Sequence, residues 1–206
     1  MGYFIMKFFF AKHRIFLSRL FSLILLSVLL VSKPQMYGTL FYNILFIIGL
    51  WLVLIGILGR IFASFFMSDN RNVSVVSKGL YSITRNPLYL FSFIGMVGVA
   101  LCYGSIIVLG VLIIAYAIYY SQVIAFEEKS LSQKIGSSYI NYLNSGVPRF
   151  FPDFKRWDSD LYLRVNYKVV LKTTIEASYF FLVVLFLIIM LKLQELDIIP
   201  YFFTIL

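Results

Sequence analysis

Two short polar clusters interrupt an otherwise apolar chain, and their residue types suit a small molecule that carries both signs of charge. The first is Arg85-Asn86-Pro87, inside GLYSITRNPLYLF (79–91). A residue before proline is steered away from the helical region, whereas proline suits the first helical turn. Asn86 therefore reads as an N-cap and Pro87 as the first residue of a helix. A helix start offers unpaired N–H groups and partial positive charge, which favour a carboxylate or phosphate. The second cluster is Glu127-Glu128, at the head of FEEKSLSQKIGSSYINYLNSGVPRFFP (126–152). Carboxylates at a helix C-terminus oppose the dipole. The pair therefore belongs to a helix that continues, as Leu131 and Ile135 on one face indicate, or to a site that uses the charge.

The elements that must carry these clusters are membrane helices. Of 206 residues, 61% are hydrophobic and 13% charged, against about half apolar and a quarter charged in a soluble domain. The expected fold is all-α, a multi-pass membrane helical bundle of about five transmembrane helices, N-in, in a single integral membrane domain. A crossing needs about 20 apolar residues. Candidates run from Ile15 to Val31, from Leu40 to Phe66, and from Ile175 to Leu193. Gly49, Gly56 and Gly59 in the second let a neighbour approach closely. The apolar stretch from Leu88 to Phe126 is too long for one crossing and weakens at Cys102-Tyr103-Gly104-Ser105, so it reads as a tight helical hairpin. At 1.5 Å per residue, Ser105 to Glu128 spans roughly 35 Å, one bilayer crossing. The hairpin thus returns Glu127 and Glu128 to the surface where Arg85, Asn86 and Pro87 entered.

With the N-terminus in the cytoplasm, all of the 18 Lys and Arg residues except Lys33 and Lys192 fall on the cytoplasmic side, as the positive-inside rule requires. The net charge of +9 thus belongs to loops beside anionic lipid, and nucleic acid is not an expected partner. The one cysteine, Cys102, excludes an internal disulfide and a cysteine metal cluster. The one histidine, His13, lies in a basic stretch. HExxH, Walker and GxGxxG patterns are absent from the sequence, so no metal site is expected. Apart from Arg19 and Arg60 near span ends, no charge sits deep in a span, which argues against an ion pathway.

A cofactor with a carboxylate at one end and a cationic group at the other would satisfy both clusters. S-adenosylmethionine is one such molecule among other zwitterions. The order and spacing of VVSKGLYSITRNPLY (75–89), EEKSL (127–131), Gly136, Tyr139, Tyr142 and VPRFFP (147–152) resemble the membrane methyltransferases that include isoprenylcysteine carboxyl methyltransferase and the phospholipid methyltransferases. The resemblance covers residues 74–152, within a motif-bearing core of 38–152, and the remainder, 153–206, reads as an interfacial segment and a last span.

The resemblance implies S-adenosylmethionine bound at the cytosolic face of a bacterial inner membrane or endoplasmic reticulum. Val73 to Val76, with Val75 and Val76 the nearest, and Tyr81 would border the cofactor. Asn86, Pro87 and Tyr89 would hold its methionine end, and Glu128 its amino group. Methyl transfer from a sulfonium disperses charge, so the protein's task is to position an acceptor and exclude water. An ammonium acceptor must first lose a proton, for which Glu127 is the nearest group. Arg85 is the second candidate catalytic residue. The segment from Gly146 to Pro152 would act as a lid. The stretch DSDLYLRVNYKVVLKTTI (158–175) would lie at the interface. The acceptor would be a lipid-like amphiphile entering sideways from membrane lipid.

Asn86 stands where the family has histidine. YYSQVIAF (119–126) lacks the arginine with which isoprenylcysteine enzymes meet a substrate carboxylate, leaving Arg149 or Arg164 to substitute. Two other readings use the same residues. A reductase of the steroid 5α-reductase type would use NADPH, although Leu88, Leu90 and Phe91 depart from its pattern. A non-catalytic membrane scaffold would tolerate the loss of the histidine.

Overall fold

The computed structural model describes residues 23–67, 75–158 and 165–206. Helical residues 23–31 form α1. They are followed by β1 (Ser32–Pro34), α2 (Leu40–Phe65), α3 (Leu80–Ile83), α4 (Pro87–Tyr103), α5 (Ile106–Ile135), α6 (Ser137–Asn144), a 3-10 turn (Phe154–Arg156), α7 (Tyr167–Glu195) and β2 (Phe203–Ile205). Helices α2, α5 and α7 are each long and apolar enough to cross a membrane, and α4 is a shorter apolar helix. The chain is a helical membrane protein. The expected first span, Ile15 to Val31, lies largely outside the described residues.

The break at Cys102 to Ser105 is a hairpin turn. Gly104 ends α4 with φ 84°, and its N–H donates to Ala100 O. This left-handed conformation suits a residue without Cβ. Ser105 then caps α5, its hydroxyl accepting from Val108 N–H at 3.2 Å. Two residues thus reverse the chain.

Helix α4 is the axis of the bundle, flanked by α2, α5 and α7. Its contact with α2 is backbone on backbone. A Cβ on Gly98 would lie 2.6 Å from Val53 N, one on Gly49 2.7 Å from Gly98 O, and one on Gly56 2.7 Å from Gly95 Cα. Lipid gives helices no hydrophobic reason to associate, so close packing of small residues does the work. Helix α7 covers this pair: Val184 joins Val53 and Cys102 in a buried cluster, with Phe180 packed against it.

At one end a second buried cluster, Leu29, Tyr103, Val108, Leu187, Met190 and Leu191, ties α1, α4, α5 and α7 together. Above it β1 and β2 pair in parallel, Ser32 opposite Phe203 and Pro34 opposite Ile205. The carbonyl of Leu206 accepts from Ser105 Oγ and from Ile107 N–H. The small sheet is an addition to the all-α expectation. It brings the residues after α1, the α4–α5 turn and the residues after α7 to one end, the alternation that successive crossings demand.

One boundary differs from expectation. Helix α7 begins at Tyr167 rather than near Ile175, because the Asn166 side chain accepts from Lys168 N–H at 2.9 Å and caps it there. Lys168, Lys172 and Glu176 therefore lie on the first turns of this helix.

Candidate functional site

The site end is built where the chain between α2 and α4 meets the chain after α6. Gly79 precedes α3 with φ 60°, and a Cβ there would collide with the Phe66 ring. Ala63, Phe66, Leu80 and Ile83 form the buried base, with Val76, Tyr81, Leu88 and Phe91 packed on it. From Ile83 onward the chain runs beside residues 148–153 and is tied to them repeatedly. Asp153 N–H donates to Ile83 O at 2.9 Å and Arg85 N–H to Pro148 O at 2.9 Å. Thr84 Oγ1 donates to Phe150 O at 2.9 Å. The segment expected to act as a lid is thus strapped across the start of α4.

Asn86 does precede α4 and Pro87 is its first residue, but the Asn86 side chain makes no capping bond. Its amide Nδ2 donates instead to Arg149 O at 2.8 Å. With Nδ2 held by the strap carbonyl, Oδ1 makes no bond to the N–H groups of α4. The backbone carbonyl of Asn86 still accepts from Leu90 N–H, the first bond of the helix.

Glu128 lies between two arginines. Arg85 Nη1 is 3.5 Å from its Oε1, and Arg149 Nη2 is 2.8 Å from its Oε2. The side chains of Arg85 and Glu128 are only 17% and 16% exposed, against 43% for Arg149. Arg85 Nε and Glu128 Oε1 are both buried without a hydrogen-bond partner. A donor and an acceptor, each costly to leave unmade, therefore stand side by side.

Glu127 faces α4. Tyr89 donates to Glu127 Oε2 at 2.6 Å, and Tyr116 donates to Tyr89 O at 2.6 Å. The rings of Tyr89 and Tyr120 lie 5.2 Å apart and those of Tyr116 and Tyr120 stack at 4.0 Å. On the other side, α6 supplies Tyr139 and Tyr142, both buried. Tyr142 donates to Tyr81 O at 2.6 Å. Burial pushes the Tyr139 phenol up to about 12, with the negative charges of Glu128 and Glu127 adding to the rise and Arg85 and Arg149 opposing it. Burial raises Tyr142 as well.

Of the residues singled out in the sequence, Arg85, Asn86, Pro87, Tyr89, Glu127, Glu128 and Arg149 meet at this one place. Tyr81 joins through α6, Val76 packs beneath α3, and Val75 is half-buried at the start of that segment. Val73 lies outside the described residues. Arg149 was expected at a substrate; here it pairs with Glu128. Sequence reasoning missed Tyr116 and Tyr120, whose spacing to Glu127 sets all three on one helical face, a readable signal. It also missed the partners of Arg60: Nη1 donates to Ser92 Oγ, and Nη2 lies 3.2 Å from Glu176 Oε2. No local signal marks those pairings.

The sequence model of the phospholipid methyltransferase family matches residues 36–138. The chain belongs to the phospholipid methyltransferase family. The match runs from before α2 into α6 and includes both clusters, Arg85 to Tyr89 and Glu127-Glu128. The family is one of methyltransferases, so this chain carries a membrane methyltransferase fold. Two curated relatives extend the likeness. One is the nickel-cobalt-cadmium resistance protein NccN of Alcaligenes xylosoxydans xylosoxydans, 29% identical over 152 residues, 74% of this chain and 70% of the relative. The other is the cobalt-zinc-cadmium resistance protein CzcN of Cupriavidus metallidurans, 30% identical over 144 residues, 70% of this chain and 66% of the relative. No solved structure matches this phospholipid methyltransferase family member. Among the described residues no group of three or more His, Cys, Asp or Glu is arranged to hold a metal ion.

Proposed function

We propose that this family member methylates a lipid-like amphiphile with S-adenosylmethionine at the cytosolic membrane face. The observation that carries the reading is the pair of buried orphan atoms, Arg85 Nε and Glu128 Oε1. One needs an acceptor and the other a donor, and the carboxylate and ammonium of an amino acid end supply both. NADPH is an anion and has no ammonium to match the charge of the Glu128 carboxylate.

When bound, S-adenosylmethionine supplies an electrophilic methyl group on its sulfonium. In this reading Glu128 holds the ammonium and Arg85 the carboxylate. Glu127, oriented by the Tyr89 hydroxyl at 2.6 Å, takes the proton of an ammonium acceptor before transfer. The strap from Gly146 to Pro152 keeps water from the reacting atoms. The end that bears most Lys and Arg faces the cytoplasm, N-in. Methylation of an amphiphile alters the charge or polarity of the membrane surface, which is compatible with the resistance names that the relatives bear.

Calorimetry of the purified protein with S-adenosylmethionine, and separately with NADPH, tests this. Binding of the first alone, weakened by Glu128→Gln, is the expected result. Binding of NADPH alone, or of neither, overturns it. A radiolabelled methyl group followed into extracted lipid then identifies the acceptor.

A further inference from the structure

The strap has an outer edge that the site does not use. Phe150 turns inward, its ring 6.0 Å from that of Phe93 on α4. Phe151 is 78% exposed, Phe154 73% and Trp157 48%. The three recur at every third residue, and the 3-10 turn Phe154–Arg156 joins the last two, a geometry that sets such positions above one another. The backbone is fastened without these rings. Asp153 N–H donates to Ile83 O, Gly79 N–H to Asp158 O at 2.6 Å, and Asp158 N–H to Ser82 Oγ at 3.0 Å. A strap needs those ties alone; three large rings turned outward mark a surface that something apolar covers.

Trp157 shows what covers it. Its ring lies parallel to that of Phe62, 6.5 Å away and 7° apart in plane, and edge-on to Phe66 at 6.4 Å. Phe62 is exposed on α2, one turn before the helix ends at Phe65. It heads a row of exposed residues, Leu58, Ile55 and Trp51, down one face of this membrane-crossing helix. The strap thus continues a lipid-facing surface at the level where that surface ends, the depth at which tryptophan belongs.

Charge selects the kind of leaflet. Arg156 is matched by Asp153 at 3.2 Å and Lys78 by Asp158 at 2.7 Å. Lys155, beside Phe154, is exposed, as is Lys168 in the first turn of α7 at the same end. Lysines next to interfacial aromatics favour anionic headgroups.

We propose that Phe151, Phe154 and Trp157 seat the strap in the headgroup layer of an anionic leaflet, with Lys155 at its phosphates. The lipid is here a surface and not a methyl acceptor. Arg149, 2.8 Å from Glu128, is two residues from Phe151, so the seat holds the strap shut over the Arg85–Glu128 pair. That this slows release of S-adenosylmethionine rests on the function proposed above; the seat itself does not.

The chain has two tryptophans, so Trp51→Phe leaves Trp157 as reporter and Trp157→Phe leaves Trp51. Each variant of the full chain is placed in nanodiscs of phosphatidylcholine and phosphatidylglycerol, with bromine near the headgroup end or near the methyl end of the acyl chains. The shallow bromine is expected to quench Trp157, and brominated phosphatidylglycerol more than brominated phosphatidylcholine at equal content. Trp51, roughly 16 Å further along α2 than Phe62, should respond to the deep bromine. Lys155→Gln should remove the preference for phosphatidylglycerol. Phe151→Ser with Phe154→Ser should raise quenching of Trp157 by aqueous iodide and speed release of radiolabelled S-adenosylmethionine about tenfold. An unchanged Trp51 response in that variant reports an intact fold. Absence of shallow quenching overturns the seat, and a Trp157 shielded from bromine and iodide alike overturns it in favour of a protein partner. Equal quenching by the two brominated lipids overturns the anionic leaflet. Unchanged release from the doubly substituted chain overturns the hold on the strap. Failure of the wild type to bind S-adenosylmethionine would sink the proposed reaction, while the fluorescence still decides the seat.

Discussion

Arg149 Nη2 lies 2.8 Å from Glu128 Oε2, an ion pair that ties the strap to α5. Arg149 is 43% exposed, and a pair of that kind is worth up to about 1 kcal/mol. A ligand ammonium at Glu128 competes with it. Arg149→Gln is therefore expected to tighten S-adenosylmethionine binding by up to about fivefold, measured by calorimetry. Weaker binding would make Arg149 a holder of the cofactor instead of its rival.

Glu127 and Glu128 are adjacent in sequence and serve different partners. Glu127→Gln is expected to slow methyl transfer to an ammonium-bearing acceptor about 10²-fold while cofactor affinity changes little. Tyr89→Phe removes the hydrogen bond that orients Glu127 and should cost about 1.5–3 kcal/mol of the same barrier. Single-turnover rates with the radiolabelled donor separate the two effects from binding. An unchanged rate in both variants would remove Glu127 from the reaction.

The α2–α4 contact leaves no room for a side chain. Gly98→Val places a Cβ 2.6 Å from Val53 N, and overpacking of this kind costs about 1–3 kcal/mol. Gly110 on α5 has nothing within 4 Å of such a Cβ. Gly110→Ala is expected to stabilise by roughly 0.5–1 kcal/mol. Thermal unfolding in detergent checks the opposite signs.

The Tyr139 phenol, raised by burial to about 12, makes stability fall in alkali. Folded Tyr139 keeps its proton where an unfolded tyrosine, with a pKa of about 10, has lost it. Its contribution is fully present below about pH 10 and is lost as pH rises through about 12. Tyr139→Phe should lessen the fall of the melting temperature between those values, leaving the part due to the likewise raised Tyr142. A wild-type curve already flat there would contradict the burial.

Much of the architecture was legible in the chain because its causes are local. Gly104-Ser105 reverses the helix with its own backbone and hydroxyl, and the glycines of α2 announce a close neighbour. The start of helix α7 was placed too late because the charged stretch 158–175 read as interfacial, although the capping Asn166 within it is a local feature. The facing of Arg85 and Glu128 followed from helix length alone, since one crossing out and one back must end at the same surface.

Composition and periodicity by themselves determined that this chain crosses a membrane, folds back at Gly104 and gathers its polar residues at one end. Tertiary structure decided which atoms those residues meet. Asn86 turned from capping α4 to the Arg149 carbonyl, Glu128 was divided between two arginines, and Arg60 was joined to Ser92 and Glu176. Those choices lie between segments far apart in sequence. A hydrogen bond or ion pair is won by whichever partner the packed helices bring within about 3 Å, and no local pattern records that distance.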